Sequence, residues 1–214
     1  MTILITGANR GIGAALDTAL TERGHEVIGT ARDTPELARL DVTDTASVAA
    51  LARRLEGTPL DALICNAGVF LDKGQNLAGG YPAQMWADSF AVNVTGVFLS
   101  IQALLPNLQM HEGGKVMIIS SQMGSDERAP GGSYIYRASK AAALNLGRNL
   151  AADLKQIGIA VGIYHPGWVQ TDMGGDSADI TPVQAAEGLA DRLEALSLET
   201  TGCFETWDGR AHPF

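Results

Sequence analysis

Basic residues are scarce in this chain. Its 15 Lys and Arg stand against 24 Asp and Glu, a net charge of −9 over 214 residues. That balance excludes nucleic acid as a partner, because phosphate binding needs clustered cations. Cysteine is nearly absent, with only Cys65 and Cys203. Neither sits in a CxxC pair and no His or Cys cluster has zinc spacing, so no metal site is expected. The two thiols are expected to be reduced and core-facing, as small buried hydrophobes. Met1–Thr6 is a short apolar run that meets glycine at once. It lacks the basic start and the apolar run of about 7–15 residues of a secretory signal. No apolar stretch is expected to approach the roughly 20 residues of a membrane span. A cytoplasmic protein with no membrane partner is the expectation. Internal repeats and low-complexity linkers are also missing. With 46% apolar and 18% charged residues, the chain can fill a large core, and its length suits one domain over residues 1–214.

Short β-rich runs alternate with longer helical ones. Strands are expected at Ile3–Thr6, His25–Ala31, within Leu37–Val42, and at Leu60–Asn66, Lys115–Ser120, Ile159–Tyr164 and Cys203–Trp207. Helices are expected at Ile12–Arg23, Asp44–Leu55 with Asp44 as N-cap, Pro82–Gln109, Tyr134–Gln156 and Pro182–Leu196. Strands that alternate with helices imply βαβ units and a parallel sheet. Their near-continuous apolarity suits strands buried on both faces. The expected fold class is α/β: one Rossmann-type, doubly wound parallel sheet of about seven strands with helices on both faces. Lys73–Gly80, Gly124–Ser133 and Asp172–Ile180 read as loops, the last with a Ser, Gly and Asp content that suggests mobility.

The first strand runs into Thr6-Gly7-Ala8-Asn9-Arg10-Gly11-Ile12-Gly13, and a helix follows. Such a turn presents backbone N–H groups and the positive end of a helix dipole to a pyrophosphate. Glycine is needed where the backbone must approach the phosphate. A glycine cluster alone also describes an ordinary tight turn. Its place at the start of a βα alternation points to a dinucleotide.

Four segments in order now carry a resemblance. Thr6–Gly13 resembles the TGxxxGxG turn of the short-chain dehydrogenase/reductase family. Asn66-Ala67-Gly68 resembles its NAG turn, Tyr136–Lys140 its YxxxK motif, and Pro166–Thr171 its PGxVxT segment. Tyr136–Ala142, His165–Gly174 and Asp208–Phe214 are most similar to the C-factor and sniffer-type carbonyl reductases of that family. The resemblance implies hydride transfer between a nicotinamide and a carbonyl or alcohol carbon. It implies cofactor contacts at Gly7, Asn9, Arg10, Gly11, Ile12 and Gly13, and at Asn66, Ala67 and Gly68. Asp41 and Val42 would contact the adenine, although Asp41 also suits the end of a strand. Pro166, Gly167, Val169 and Thr171 would hold the nicotinamide end, although Thr171 equally suits a cap.

Tyr136 and Lys140 are four residues apart, on one face of the expected helix. An ammonium beside a phenol favours the phenolate, so Lys140 is expected to lower the Tyr136 pKa towards neutral. Both would also contact the cofactor. Tyr134 competes less well, because its i+4 partner is Ala138. The catalytic serine is expected to end the fifth strand. The family pattern favours Ser121, but its 15-residue separation from Tyr136 is long and leaves Ser120 as the alternative. Asn93 resembles the fourth catalytic residue, which kinks a helix and holds a water beside the lysine. A mid-helix Asn also satisfies itself locally.

At the end of the second strand, NAD enzymes place a carboxylate on the ribose 2′-hydroxyl. Here Ala31 stands in that place and Arg32 follows. A guanidinium there suits a 2′-phosphate, with Arg10 as a second basic contact, so NADP(H) is expected over NAD(H). Asp33 competes for Arg32. A homodimer or homotetramer through Pro82–Gln109 and Tyr134–Gln156 is implied by resemblance. The rival readings are a nucleotide-binding signalling protein on the same fold and, ranked last, a sugar-nucleotide epimerase. The short Asp172–Ile180 segment suggests an open substrate pocket.

Overall fold

The computed structural model describes residues Met1–Phe214. Seven strands form one parallel sheet: β1 (Thr2–Thr6), β2 (Glu26–Ala31), β3 (Ala38–Arg39), β4 (Ala62–Cys65), β5 (Lys115–Ile119), β6 (Ala160–His165) and β7 (Phe204–Thr206). Their order across the sheet is β3-β2-β1-β4-β5-β6-β7. Chain order reverses between β1 and β4, where open α/β sheets leave a crevice for ligands. The helices are α1 (Gly11–Glu22), α2 (Thr45–Arg54), α3 (Ala83–Phe90), α4 (Gly96–Leu108), α5 (Tyr134–Lys155) and α6 (Pro182–Ala195).

Side-chain alternation along each strand divides the interior into two cores. Ile3, Ile5, Ile64 and Met117 pack beneath α1 and α6, with Leu16, Leu20, Ala186 and Leu189. Leu4, Leu63, Val116 and Ile118 point the other way, against Leu51, Ile101, Leu104 and Leu144 of α2, α4 and α5. Burial on both faces explains why the strands lack a polar alternation.

Local chemistry sets the ends of these elements. Asp44 accepts a hydrogen bond from the Ala46 N–H at 2.8 Å, as its expected capping role requires. Thr181 and Gln184 close a reciprocal capping box around Pro182 at the start of α6. The third strand shrinks to two edge residues. The helix expected over Pro82–Gln109 is continuous but not uniform: five residues, Ala91–Thr95, form a π-helical turn between α3 and α4. Taken together, Ala83–Leu108 is long and apolar enough to cross a membrane. This corrects the expectation that no stretch approaches that length. Here its Val97, Ile101, Leu104 and Leu108 are buried against the sheet.

Candidate active site

The carboxyl ends of β1, β2 and β4 open onto a groove of about 530 Å³. The glycine turn forms its floor. Gly7 and Gly11 have φ of 71° and 55°, in the region that a side chain disfavours. Gly13 is different, because a Cβ there would strike the Gly7 carbonyl and stand 2.5 Å from Asn66 Nδ2. The Asn66 amide donates to the Thr6 and Gly7 carbonyls at 3.1 and 2.8 Å. Thr6 Oγ1 accepts from the Asn66 and Ala67 N–H groups, each at 3.0 Å. The two turns are thus stitched together. Arg10 precedes α1 and no side chain caps that helix, so its first-turn N–H groups are free for an anion.

Asn9, Arg10, Ile12, Arg32, Asp41, Val42, Gly68, Pro166 and Thr171 also line the groove. Ala31 is buried at the end of β2, and Arg32 is exposed beside it. Arg32 makes no ion pair with Asp33. Asp41 accepts from the Thr43 N–H and hydroxyl at 2.9 and 2.7 Å. Those bonds hold its carboxyl below the usual range, with Arg32 and Arg39 adding to the effect. Arg10 spans the groove to an ion pair with Asp172. Val169 and Gly167 stand behind the lining. Val169 is buried and bridges to Ile180. Gly167 has a φ of 91°, and a Cβ there would lie 2.5 Å from Ile180 Cδ1. Thr171 begins no helix. Its hydroxyl accepts from the Gly174 N–H at 3.1 Å.

At the inner end of the groove lie Tyr136 and Lys140, both buried. Lys140 Nζ donates to the Ile119 carbonyl at 2.9 Å and stands 5.7 Å from the centre of the Tyr136 ring. Burial pushes the Tyr136 phenol up to about 12 and the Lys140 ammonium down to about 8. Desolvation of each charged form is the dominant cause of both shifts. The expected lowering of the tyrosine by the lysine is corrected accordingly. Ser121 faces the phenol and favours its ionised form, against the larger effect of burial. Its Oγ accepts from the Met123 N–H at 3.1 Å. The Ser120 hydroxyl instead donates to the Lys140 carbonyl at 3.0 Å. Tyr134 is exposed and packs edge-on to Tyr81, with ring centres 5.2 Å apart.

Asn93 sits in the π-helical turn and is buried. Its Nδ2 donates to the Val69 carbonyl and to Ser139 Oγ, each at 2.9 Å. Its Oδ1 accepts from the Val69 N–H at 2.8 Å. The segment it clamps continues into the site. Phe70 stacks on the Tyr136 ring at 4.2 Å, and Lys73 Nζ donates to the Met173 carbonyl at 3.0 Å. Met173 Sδ in turn lies 3.9 Å from the Tyr136 hydroxyl. Nothing in the sequence marks these contacts except the apolar run Val69–Leu71.

A groove at the switch point of a parallel sheet, ending on a buried Tyr–Lys pair, defines a dinucleotide-dependent oxidoreductase. The short chain dehydrogenase family model matches residues 1–180. The chain belongs to that family and is an NAD(P)-dependent enzyme. It is 38% identical over 225 residues to a 1-hydroxy-2-glutathionyl-2-methyl-3-butene dehydrogenase from Rhodococcus sp. (strain AD45), covering 97% of each chain. It is 35% identical to the C-signal of Myxococcus xanthus, over 73% of this chain and 93% of that one. Among solved structures, the NADPH-bound carbonyl reductase from chicken fatty liver superposes with a TM-score of 0.91 at 29% identity. That match covers 100% of this chain and 98% of the other. The Sniffer carbonyl reductase of D. melanogaster gives 0.92 at 26% identity, covering 100% and 99%.

Proposed function

We propose that this enzyme is an NADP(H)-preferring carbonyl reductase acting on small aldehydes and ketones, with Asn93, Ser121, Tyr136 and Lys140 as its catalytic set. The observation that carries the reading is the meeting of the Tyr136 phenol and the Lys140 ammonium at the inner end of the glycine-floored groove, with the Ser121 hydroxyl against the phenol. The residues present fit a dinucleotide. The uncapped start of α1 suits a pyrophosphate, and the absence of a Cβ at Gly13 keeps the turn compact. When bound, the nicotinamide supplies or accepts the hydride.

The protein's own part is position and proton. Ser121 Oγ already accepts one N–H, which leaves its O–H proton free to donate to a carbonyl oxygen. Ser120 has committed its proton to the Lys140 carbonyl, so Ser121 is the better catalytic serine. Tyr136 is neutral at pH 7 and can donate its proton to the same oxygen. Lys140 has two N–H bonds left for ribose hydroxyls once Ile119 has taken one. Asn93 holds Val69 and thereby the wall that carries Phe70 against the Tyr136 ring. Phe70 and Met173 give the pocket an apolar lining around the reacting oxygen.

NADP(H) preference is supported by Ala31 in the place of a carboxylate and by the unpaired Arg32 beside it. The NADPH in the carbonyl reductase from chicken fatty liver agrees. A homodimer is supported by Trp86, Phe98 and Tyr134, which expose 36%, 39% and 39% of their surface on α3, α4 and α5. We place the enzyme in the cytoplasm as a single domain, in line with its composition. NADPH oxidation with a panel of benzaldehyde, 4-nitrobenzaldehyde, acetophenone and cyclohexanone tests the activity. Turnover of at least one of them is expected, and NADPH binding without turnover of any would favour the signalling reading.

A further inference from the structure

The helix that carries Tyr136 and Lys140 begins without a cap of its own. Its N-cap residue is Ser133, held at φ 47°, ψ 42°, and the Ser133 side chain makes no capping bond. No acidic residue stands in the first turn. A carboxylate from elsewhere fills the role. Asp72, in the loop after β4, has no exposed surface. Its Oδ2 accepts from the Ile135 N–H at 2.8 Å and its Oδ1 from the Tyr136 N–H at 3.2 Å, across 63 and 64 residues of sequence. Both oxygens are therefore spent on the first turn of α5, where a negative charge is also favoured by the helix dipole.

Two further contacts tie this loop to the same residue. Phe70 stacks on the Tyr136 ring, and Lys73 holds the carbonyl of Met173, whose sulfur faces the Tyr136 hydroxyl. Asp72 is thus the anchor by which the loop fixes the height and rotation of the tyrosine.

We propose that Asp72 is a positioning residue: its carboxylate fixes the first turn of α5, and its charge adds to burial in holding the proton on Tyr136. The inference rests on Tyr136 as the proton-transfer residue. The charged surroundings of Tyr136 are few. Helix α5 supplies Lys140 at 5.7 Å from the ring centre, and the loop after β4 supplies Asp72 and Lys73. The π-helical turn and the segment after β5 present Asn93 and Ser121, which are uncharged. After β6 come Met173 and Asp172, the latter turned to Arg10. Asp72 is the charge that opposes phenolate formation there, in addition to burial.

The sign follows. Removing the Asp72 charge makes the phenolate easier to form, so Tyr136 ionises at lower pH. Two readouts test this in the full-length enzyme. One is the pH profile of NADP⁺ reduction with the alcohol that corresponds to the best-reduced carbonyl of the panel. The other is the ¹³Cζ NMR signal of labelled tyrosine, with Tyr136 assigned by its loss in Tyr136→Phe. In Asp72→Asn the acid limb of kcat and the onset of Tyr136 ionisation should both move down by roughly half to one pH unit. The KM for NADP⁺ should stay within about twofold, since the groove itself is untouched, while the high-pH plateau of kcat falls with the loss of positioning. Asp72→Ser, smaller and an ordinary capping residue, gives the same reading where the Asn variant does not fold. Parental pH behaviour in a neutral variant that has merely lost thermal stability would reduce Asp72 to a cap and overturn the proposal. An active Tyr136→Phe would instead overturn the assignment beneath it.

Discussion

Replacing Asn93 with Ala removes three hydrogen bonds at once. Two are donated by Nδ2, to the Val69 carbonyl and to Ser139 Oγ, and one is accepted by Oδ1 from the Val69 N–H. Asn93 is 1% exposed, so the truncated site is cut off from solvent. Each lost bond costs about 1 kcal/mol net, and stranding both polar groups of Val69 adds to that, for a total of about 3–5 kcal/mol. Val69 is only half-buried, so some re-solvation holds the loss towards the lower figure. For a chain of this size that is a fall in Tm of roughly 10 °C. Urea unfolding at pH 7 measures the free energy, and amide exchange at Val69 shows whether the clamp is its source. Faster exchange is expected at Val69 and Phe70. A loss below about 1 kcal/mol, with exchange at Val69 unchanged, would refute the clamp.

Two other outcomes follow from charge. Arg32→Ala should lower kcat/KM for NADPH by roughly 10–100-fold, the worth of a charge-assisted pair, and leave NADH nearly unchanged. Steady-state kinetics with both cofactors checks this, and a variant that keeps its NADPH preference would remove Arg32 as the selector. The second concerns His165, buried at the end of β6 with an unpartnered Nδ1. Burial, with His212 and Arg128 nearby, pushes it from 6.5 down to about 4. The unfolded chain therefore takes up this proton first as pH falls. Its contribution is intact above pH 6.5 and lost between there and about pH 4, up to about 3 kcal/mol. Denaturant titrations of the parent and His165→Phe across that window should diverge in slope, and identical slopes would contradict the assignment.

Much of this architecture was legible because its signals are local. The apolar strands and the glycine turn depend on residues that are neighbours in sequence, as does the cap at Asp44. The edge strand within Leu37–Val42 was harder, since only Ala38 and Arg39 pair. The π-helical turn could not be read from periodicity. One inserted residue does not disturb the apolar pattern of Pro82–Gln109, and only the mid-helix Asn93 hints at it. The pairing of Arg10 with Asp172 joins residues 162 positions apart. The same holds for Asp72, an acidic residue just ahead of the Lys73–Gly80 loop that is nonetheless fully buried. The tyrosine illustrates a different failure. Spacing places Lys140 beside Tyr136, but spacing carries no information on burial, and burial dominates both ionisations.

The most direct test of proton transfer by Tyr136 is the turnover of Tyr136→Phe with NADPH and the best carbonyl of the panel, alongside NADPH binding by fluorescence. The ring's stacking on Phe70 survives the change, and only the hydroxyl is lost. Binding should stay within about twofold of the parent, while kcat falls by roughly 100–10,000-fold, the usual range for removal of a general acid. Parental turnover in this variant would contradict the account, and a dead Tyr134→Phe beside it would move the proton to the neighbouring phenol.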